Sequence, residues 1–314
     1  MIYKGSDMDR KSYGRIDRLQ VIRPFDPWRS DKCTCMPKYS LHPYTGCSHF
    51  CLYCYATAYI GRKPSIPKRD FLRRVLRDLR FINSELVIEL SSSSDPYPPI
   101  EEWMLLTRRT LEILADRSHK ILITTKSHIV ARDWDILLKT PSTVMITITT
   151  LNEELAKKIE PGAPPPNLRL KTISMLRDKG IPVGVRIDPI IPGLNDKPEE
   201  LVELVKQVVE HGALHIVTST YKARPDNLRR MMNAFPDKKK SWVDLYLRQG
   251  EHTHGYYYLP RELRFKLLKP VIETATKYGV TAAVCREAFP ELFRAPSCDG
   301  QHLIKLHPRY SSRA

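Results

Sequence analysis

The chain of 314 residues lacks any run of about eighteen apolar residues, the length that a membrane-crossing helix needs. Its first residues lack the apolar core of a secretory signal, so we expect no export. Its seven cysteines are odd in number and cannot all pair as disulfides, which favours a reducing compartment. Internal repeats and low-complexity tracts are not evident either. The expected class is therefore a globular cytoplasmic protein.

Acidic residues are scarce relative to basic ones, with 35 Asp and Glu against 51 Lys and Arg and a net charge of +16. The excess is concentrated, since residues 62–80 carry a net +6 and residues 222–269 a net +7. A protein surface adapted to high temperature would carry a comparable number of acidic residues to pair with its basic ones. A polyanionic partner, nucleic acid, is favoured instead. The expected contacts are Arg69, Arg73, Arg77, Arg80, Lys238, Lys239 and Lys240.

Short apolar segments alternate with amphipathic ones along most of the chain. Buried strands are predicted at residues 40–45, 86–90, 121–125, 144–149, 183–187, 215–219 and 280–284. Helices are predicted at about residues 66–82, 101–117, 129–139, 152–159, 168–179, 197–211 and 260–278. Repeated β–α units with right-handed crossovers give an α/β protein with a curled parallel sheet.

Domain boundaries are expected where this alternation begins and is interrupted. Residues 1–39 are basic and contain prolines, which predicts an irregular N-terminal arm. Residues 40–221 form the repeated core, 222–259 a basic and aromatic insertion or cap, and 260–314 the last β/α unit and a C-terminal tail. The run of tyrosines at 256–258 could stack on nucleobases or form the core of the cap.

Three cysteines, Cys47, Cys51 and Cys54, have the spacing C-x3-C-x2-C. Clusters used only for electron transfer are normally held by four cysteines. Three thiolates leave one iron of a cubane cluster open, and an open metal position is what chemistry needs. With this spacing the expected occupant is S-adenosylmethionine, which one electron cleaves to a 5′-deoxyadenosyl radical. Zinc is the alternative that the spacing leaves open.

Tyr53 directly precedes the third cysteine, and the motif follows Pro-Tyr-Thr-Gly at residues 43–46. With these neighbours the sequence resembles the radical SAM superfamily, and closely its spore photoproduct lyase-like branch, over most of the chain from residue 40. The resemblance implies a partial (β/α)6 TIM-like barrel, a [4Fe–4S] cluster on the three cysteines, S-adenosylmethionine, and a reductant such as ferredoxin or flavodoxin. It also implies cofactor contacts for Lys126 and for Thr147 or Thr149, and it matches Tyr53 and Tyr55.

Polar residues follow the predicted strands at their carboxyl ends, where parallel β/α sheets bind ligands. S-adenosylmethionine needs a cation near its carboxylate, hydrogen-bonding groups for its amine and ribose, and apolar surface for adenine. The candidates for cofactor binding are Ser93, Ser94, Lys126, Thr147, Thr149, Arg186, Asp188 and Ile190. The candidates for a catalytic role are Tyr53, Tyr55, Asp95 and Cys285.

Photoproduct lyases carry a hydrogen-donating cysteine just before a Ser-Asp pair after the second strand. The corresponding stretch here, residues 91–95, is Ser-Ser-Ser-Ser-Asp and has no thiol. This departure predicts a relative with a different reaction.

Four further cysteines lie outside the motif. Cys33 and Cys35 precede the first predicted strand of the core, whereas Cys285 and Cys298 follow the last one. In a nearly closed barrel these two regions lie near each other, so the four thiols could hold a second iron–sulfur cluster. They could also be buried free cysteines or a zinc site.

The sequence thus predicts a cytoplasmic radical SAM enzyme that modifies a nucleic acid. A tRNA nucleoside is favoured, with methylation or insertion of carbon or sulfur, for example on a threonylcarbamoyl-adenosine, because exposed loop bases fit an open barrel mouth. A DNA lesion lyase using another thiol such as Cys285, and an enzyme acting on a peptide or protein, are the alternatives.

Overall fold

The computed structural model describes residues 13–25 and 32–311, and its centre is one eight-stranded sheet. The strand order is β1-β2-β5-β6-β7-β8-β9-β12. Their bounds are Ile22–Pro24 (β1), Lys38–Leu41 (β2), Val87–Leu90 (β5), Ile121–Thr125 (β6), Ser142–Thr147 (β7), Val183–Ile190 (β8), His215–Thr220 (β9) and Thr281–Val284 (β12). Only β1 is antiparallel to its neighbour, and all other pairs are parallel.

Two small antiparallel ribbons lie outside this sheet. One joins Tyr44–Thr45 (β3) to Ile66–Pro67 (β4), and the other joins Glu251–Thr253 (β10) to Tyr256–Tyr258 (β11). The first ribbon brackets the three-cysteine motif. The second belongs to the segment expected to be a cap.

Helices connect successive strands. They are Thr57–Ile60 (α1), Phe71–Asp78 (α2), Glu101–Met104 (α3), Leu106–Asp116 (α4), Trp134–Leu137 (α5), Glu153–Ile159 (α6), Pro166–Asp178 (α7), Pro198–Glu210 (α8), Pro225–Ala234 (α9), Lys239–Trp242 (α10), Arg261–Lys277 (α11) and Pro308–Ser311 (α12). Short 3-10 segments lie at Ile16–Arg18, His128–Asp133, Pro236–Lys238, Pro290–Leu292 and Gln301–Leu306, and a π-helical segment at Val243–Arg248. None of the helices among the described residues is long and apolar enough to span a bilayer.

Both faces of the sheet are covered, which is why its strands read as nearly continuous apolar runs. All six residues of β7 are buried, for example. Ile304 of the C-terminal segment packs on Val87, Leu122, Met145 and Val217, which come from four different strands, so this segment fills one end of the barrel interior. The predicted α/β class and partial barrel are confirmed.

Several predicted boundaries were wrong. The arm expected to be irregular contains β1, whose backbone pairs with β2. The strand expected at 40–45 is two strands in different sheets, because the chain leaves the barrel after Leu41 to begin the ribbon. The helix expected at 101–117 is interrupted at Leu105, whose φ of +53° is left-handed. The spacing of apolar residues along the sequence does not reveal a break in a helix at a single residue.

The N-terminal extension and the last strand form the two edges of the sheet, at β1 and β12. The segment containing Cys33 and Cys35 leads into β2, and Cys285 directly follows β12. These residues therefore lie at the seam where the curled sheet approaches closure.

Candidate active site

A cavity of about 440 Å³ lies inside the barrel and opens at the carboxyl ends of the strands. All seven cysteines of the chain line it. Most of the predicted site residues line it as well, namely Tyr53, Tyr55, Ser93, Ser94, Asp95, Lys126, Thr147, Arg186 and Asp188. The predicted convergence of strand-end residues is therefore present in the fold.

The loop with Cys47, Cys51 and Cys54 is held by backbone hydrogen bonds on both sides. Cys47 donates its N–H to the Lys63 carbonyl at 3.0 Å, and Leu52 donates to the Ile159 carbonyl at 2.8 Å. Gly46, with φ +76°, is required before the loop because a Cβ there would lie 2.2 Å from the Pro64 carbonyl oxygen. The loop is thus fixed to the ribbon and to the end of α6.

His49, within this loop, is fixed by two partners. Its Nδ1 donates to the Gly162 carbonyl at 3.0 Å, and its Nε2 lies 3.0 Å from a carboxylate oxygen of Asp95. Asp95 also accepts hydrogen bonds from the Thr125 hydroxyl and the Lys126 N–H. Burial alone would raise the pKa of Asp95, but His49 and these donors lower it to about 2. Asp95 therefore stays ionised and joins the cysteine loop to the end of β6.

Glu160 is the centre of a second buried network. Arg169 lies 2.6 Å from one of its carboxylate oxygens, and Tyr53 and Thr149 donate hydroxyl hydrogen bonds to the other. The Nζ of Lys126 lies 3.9 Å from Glu160 and 5.6 Å from the centre of the Tyr53 ring. Burial alone would lower the pKa of Lys126, but Glu160 and Cys51 outweigh it and raise that pKa. A cation is thereby held beside the cysteine loop.

Arg186 and Asp188 form a partly buried ion pair on the cavity wall, which Cys285 also lines. Ser219 donates a hydrogen bond of 2.5 Å to Asp188. Burial alone would raise the pKa of Asp188, but Arg186 and Lys222 lower it below its ordinary value. Arg186 and Asp188 both remain charged. Their charged groups can hydrogen bond to a polar ligand at this wall of the cavity.

Ile190, expected to contact adenine, does not face the cavity. Its side chain is fully buried in the main hydrophobic core, and Pro189 lines the cavity in its place. Strand β8 continues to residue 190, beyond the predicted end at 187, and this extension carries Ile190 into the core.

Aromatic and guanidinium groups form a wall beside Cys54. The Arg286 guanidinium lies 5.9 Å from the Tyr55 ring centre and 4.6 Å from that of Tyr256. Arg224 lies 4.7 Å from the Tyr256 ring centre, and Tyr59, 48% exposed, lines the cavity entrance. Tyr256 and Tyr258 are fully buried. Two of the three tyrosines at 256–258 therefore form part of the core of the cap and do not stack on nucleobases.

The four remaining cysteines meet at the seam. The Sγ atoms of Cys35 and Cys298 are 3.6 Å apart, and the Cys35 N–H donates to the Cys33 sulfur at 3.5 Å. Lys38 lies beside them, with its Nζ 2.6 Å from Asp299 and 2.7 Å from Glu89. Burial alone would lower the pKa of Lys38, but Asp299 and Glu89 raise it well above its ordinary value.

Across residues 13–25 and 32–311, no three His, Cys, Asp or Glu side chains converge on a position for a single metal ion. In a cubane cluster each thiolate binds a different iron, so convergence on one point is not expected of cluster ligands. The loop cysteines fit such a cluster because they border a shared cavity, beside the partly buried Lys126, which can pair with a carboxylate.

The predicted nucleic-acid contacts fall into two separate regions. Arg69 and Arg73 are 94% and 81% exposed near the start of α2, next to the ribbon that holds the cysteine loop. Arg77 and Arg80 lie toward the other end of α2, where they border a second cleft together with Arg73 and Arg117. Lys239 and Lys240 are exposed on α10, and Lys238 pairs with Asp237. Arg73, Arg77 and Arg80 thus share a second cleft whose residues do not line the barrel cavity.

Several residues of the site were not among the predicted site residues. Glu160, Arg169, His49, Asp299 and Arg286 all make buried contacts that shape the cavity. Asp299 directly follows Cys298, a local signal that could have drawn attention to it. Arg169 lies within an ordinary amphipathic helix, where the sequence gives no such signal.

Comparison with known proteins agrees with this arrangement. Residues 41–205 match the family model of the Radical SAM superfamily, and the chain belongs to that family. It is therefore a radical SAM enzyme, which uses a [4Fe–4S] cluster and S-adenosylmethionine.

A solved structure of a spore photoproduct lyase variant with bound AdoMet and dinucleoside spore photoproduct is similar in fold, with a TM-score of 0.62 at 18% identity. The similarity covers 78% of this chain and 75% of that chain. An uncharacterized protein of Mycobacterium tuberculosis is 27% identical over 273 residues, 81% of this chain and 78% of that protein. A radical SAM Nalpha-GlyT isomerase of Pseudomonas phage M6 is 24% identical over 290 residues, 86% of this chain and 60% of the phage protein.

Proposed function

We propose that this radical SAM enzyme modifies a nucleoside within a nucleic acid, with the reacting base held in the barrel cavity. The observation that carries the proposal is the wall formed by Tyr55, Tyr59 and Arg286, which borders the same cavity as the three loop cysteines. Tyr55 directly follows Cys54 in sequence, so a base on this wall would lie next to the cofactor site.

The wall has the chemistry that nucleotide binding needs. Aromatic rings stack on any base, and a guanidinium group can stack on a base or bind a phosphate. Tyr59 is accessible from outside, while Arg286 lies deeper against Tyr55 and Tyr256. A flipped base could therefore pass from solvent to the cavity along one continuous surface.

The charge around the cysteine loop supports a polyanionic substrate. Arg62, Lys63, Arg69 and Arg73 are all exposed on the ribbon and on the adjoining start of α2. Arg62 also donates to the Phe50 carbonyl within the cysteine loop, at 3.2 Å, so this basic surface reaches the loop itself. Phosphates flanking the reacting nucleoside would be attracted to it.

The chain's own residues provide for the cofactors as follows. Cys47, Cys51 and Cys54 would bind three irons of the cluster, and Lys126 would pair with the cofactor carboxylate. Thr147, Ser93 and Ser94 would donate or accept hydrogen bonds along the wall, while Glu160 keeps Lys126, Tyr53 and Thr149 in place. When bound, the cluster and S-adenosylmethionine supply a radical that can remove a hydrogen atom from an unactivated carbon.

The stretch of serines after β5 favours a reaction other than lesion repair. Ser91 and Ser94 hydrogen bond to each other at 3.3 Å, and all four serines line the cavity where a photoproduct lyase carries its donor thiol. This favours a transferase acting on a tRNA nucleoside. Threonylcarbamoyl-adenosine is one example of a modified tRNA nucleoside that could be the substrate.

Cys285 favours one alternative, a DNA lesion lyase. Its thiol lines the same cavity, beside Arg186, and could donate a hydrogen atom to a substrate radical. This assignment requires Cys285 to be a free thiol in the active enzyme.

Nucleoside mass spectrometry of tRNA and of DNA from a strain without the gene tests the proposal. We expect one tRNA nucleoside to be lost or to remain at a precursor stage, and to be restored by the wild-type chain but not by Cys51→Ala. An unchanged tRNA profile together with accumulated DNA lesions would support the lyase instead. Unchanged RNA and DNA would contradict both assignments.

A further inference from the structure

We propose that Cys33, Cys35, Cys285 and Cys298 hold a second [4Fe–4S] cluster, bound by four thiolates at the seam between the first and last strands of the barrel. This inference concerns a metal site and does not depend on which substrate the enzyme modifies. It rests on how the four thiols meet, on the charges around them and on their place in the cavity.

The four thiols come from opposite ends of the chain and meet in one place. Cys35 and Cys298, 263 positions apart in sequence, have sulfur atoms 3.6 Å apart, and these two thiols would move apart to bind separate irons of a cubane cluster. Cys33 is linked to Cys35 by the N–H to sulfur hydrogen bond, a type of interaction that also stabilises cluster thiolates. Cys285 lines the same cavity as Cys33, Cys35 and Cys298.

Cations border this group, and each is also paired with a carboxylate. Lys38, only 1% exposed, lies near Cys35 and pairs with Glu89 and Asp299. Arg186 and Lys222 lie near Cys285 and pair with Asp188 and Glu287. Four thiolates on a cubane cluster leave a net negative charge, which a buried site must offset with nearby positive groups. Lys38 is also held by Asp299 and Glu89, so its ammonium group cannot turn away to solvent.

The position of the thiols is unlike that of cysteines used as core packing. Buried free cysteines ordinarily lie among apolar side chains. These four line the cavity, and none of them belongs to the main hydrophobic core cluster of the described residues, although Cys285 packs against the smaller cluster around Ile304. Cys285 and Cys298 follow β12, whereas Cys33 and Cys35 precede β2, so a shared cluster would fasten the two ends of the curled sheet together.

The two cysteine groups share a border at Tyr55. This tyrosine follows Cys54 of the first group and lines the cavity together with Cys285 of the second. The proposed cluster would thus border the same cavity as the loop cluster. That position suits a centre that exchanges single electrons with a bound substrate or with the reductant.

Metal analysis of the full chain, purified and reconstituted without oxygen, tests the proposal. For the wild type we expect about eight irons and eight acid-labile sulfides per chain, because two cubane clusters are bound. The Cys35→Ala/Cys298→Ala variant should retain about four of each. The reciprocal Cys47→Ala/Cys51→Ala/Cys54→Ala variant should also retain about four, with an EPR signal that S-adenosylmethionine does not perturb, because its irons all have thiolate ligands.

The matched control is Met36→Ala, a partly exposed residue of the same segment, which should keep the wild-type iron content. If circular dichroism shows that Cys35→Ala/Cys298→Ala is misfolded, the iron content of the reciprocal triple variant alone tests whether a second cluster is bound. A triple variant that retains no iron, about four irons in the wild type, or one zinc per chain would each overturn the proposal. So would a Cys35–Cys298 disulfide in the active enzyme.

The same experiment separates this site from the lyase alternative. If Cys285 is a cluster ligand, Cys285→Ala lowers the iron and sulfide content or changes the EPR signal of the second cluster. If Cys285 donates a hydrogen atom, that variant keeps the wild-type iron content and spectrum while repair product is lost. The latter result would overturn the four-thiolate assignment.

Discussion

Arg169 lies 2.6 Å from a carboxylate oxygen of Glu160, and both side chains are almost fully buried. The same carboxylate orients Tyr53, Thr149 and Lys126 at the edge of the cysteine loop. Arg169 also donates to the Thr147 and Pro164 carbonyls, which ties α7 to the end of β7. One ion pair thus connects the barrel framework to the residues proposed to bind the cofactor.

Replacing Glu160 with Gln should destabilise the protein and weaken cofactor binding together. Arg169 would keep its charge without a counter-charge, and breaking a buried ion pair in this way costs about 3–5 kcal/mol. Urea unfolding and S-adenosylmethionine titration measure the two effects. Glu154→Gln, at an exposed position of α6, should leave both at wild-type values. If Glu160→Gln and Glu154→Gln had the same unfolding free energy and the same affinity for S-adenosylmethionine, the role assigned to Glu160 would be contradicted.

Replacing Asp95 with Asn should loosen the cysteine loop. The interaction between His49 and Asp95 would lose its charge, and removing such a supporting partner typically lowers metal affinity about tenfold or more. Iron loss to a chelator, followed by absorbance under nitrogen, should be correspondingly faster than in wild type. Asp178→Asn, at an exposed position, is the control and should lose iron at the wild-type rate. An unaltered rate in Asp95→Asn would show that this interaction does not support the loop.

Replacing Tyr59 with Ala should weaken binding of single-stranded nucleic acid by about 1–3 kcal/mol, the usual effect of removing one stacking ring. Tyr59→Phe should retain most of the affinity because it keeps the ring. The control is Tyr278→Ala, because Tyr278 is exposed to a similar degree, 43% against 48% for Tyr59, but does not line the cavity. This variant should bind nucleic acid with the wild-type affinity. Fluorescence anisotropy with labelled tRNA fragments is the measurement. A similar decrease in both alanine variants would indicate nonspecific binding.

The salt dependence of tRNA binding should identify the basic surface. Replacing Arg69 or Arg73 with Ala should lower the slope of log affinity against log salt by roughly 0.7–0.9 for each phosphate that the variant no longer neutralises. Lys266→Ala, an exposed cation on α11, should leave the slope unchanged. Arg80→Ala tests the second cleft, which Arg73 also borders and Arg69 does not. A flat dependence for the wild type would argue for a peptide substrate.

Stability should fall as the pH drops below about 6.5, the ordinary pKa of His. His307 is buried, its Nε2 donates to the Leu137 carbonyl, and its Nδ1 accepts from the Arg309 N–H. Burial lowers its pKa in the folded state, so the unfolded chain takes up a proton that the folded chain does not. This contribution is fully present above about 6.5 and decreases below it, by at most about 1.4 kcal/mol at pH 5.5.

Urea unfolding at several pH values measures this effect of His307. In His307→Gln the decrease in unfolding free energy between pH 7.5 and 5.5 should be smaller than in wild type, because this variant has one fewer group that gains a proton on unfolding. His254→Gln, at an exposed position, should keep the wild-type slope. Identical slopes in all three proteins would contradict the assignment.

Local patterns determined a large part of what the sequence predicted correctly. The spacing of Cys47, Cys51 and Cys54 lies within eight residues, so no long-range contact was needed to recognise the family. The seven apolar segments predicted as strands all overlap strands of the structure, because strands buried on both faces need continuous apolar residues. Strand ends then located several of the cavity-lining residues, since all parallel strands end at the same side.

Tertiary structure alone decided which distant residues meet. The approach of Cys35 to Cys298 depends on how far the sheet curls, and no periodicity in the sequence encodes that closure. The pairing of Arg169 with Glu160 and the burial of Ile190 depend on the angle at which α7 packs and on where β8 ends. Sequence determined the chemical groups and their order along the strands, whereas long-range packing determined their partners, because each partner is chosen by geometry in three dimensions and not by spacing along the chain.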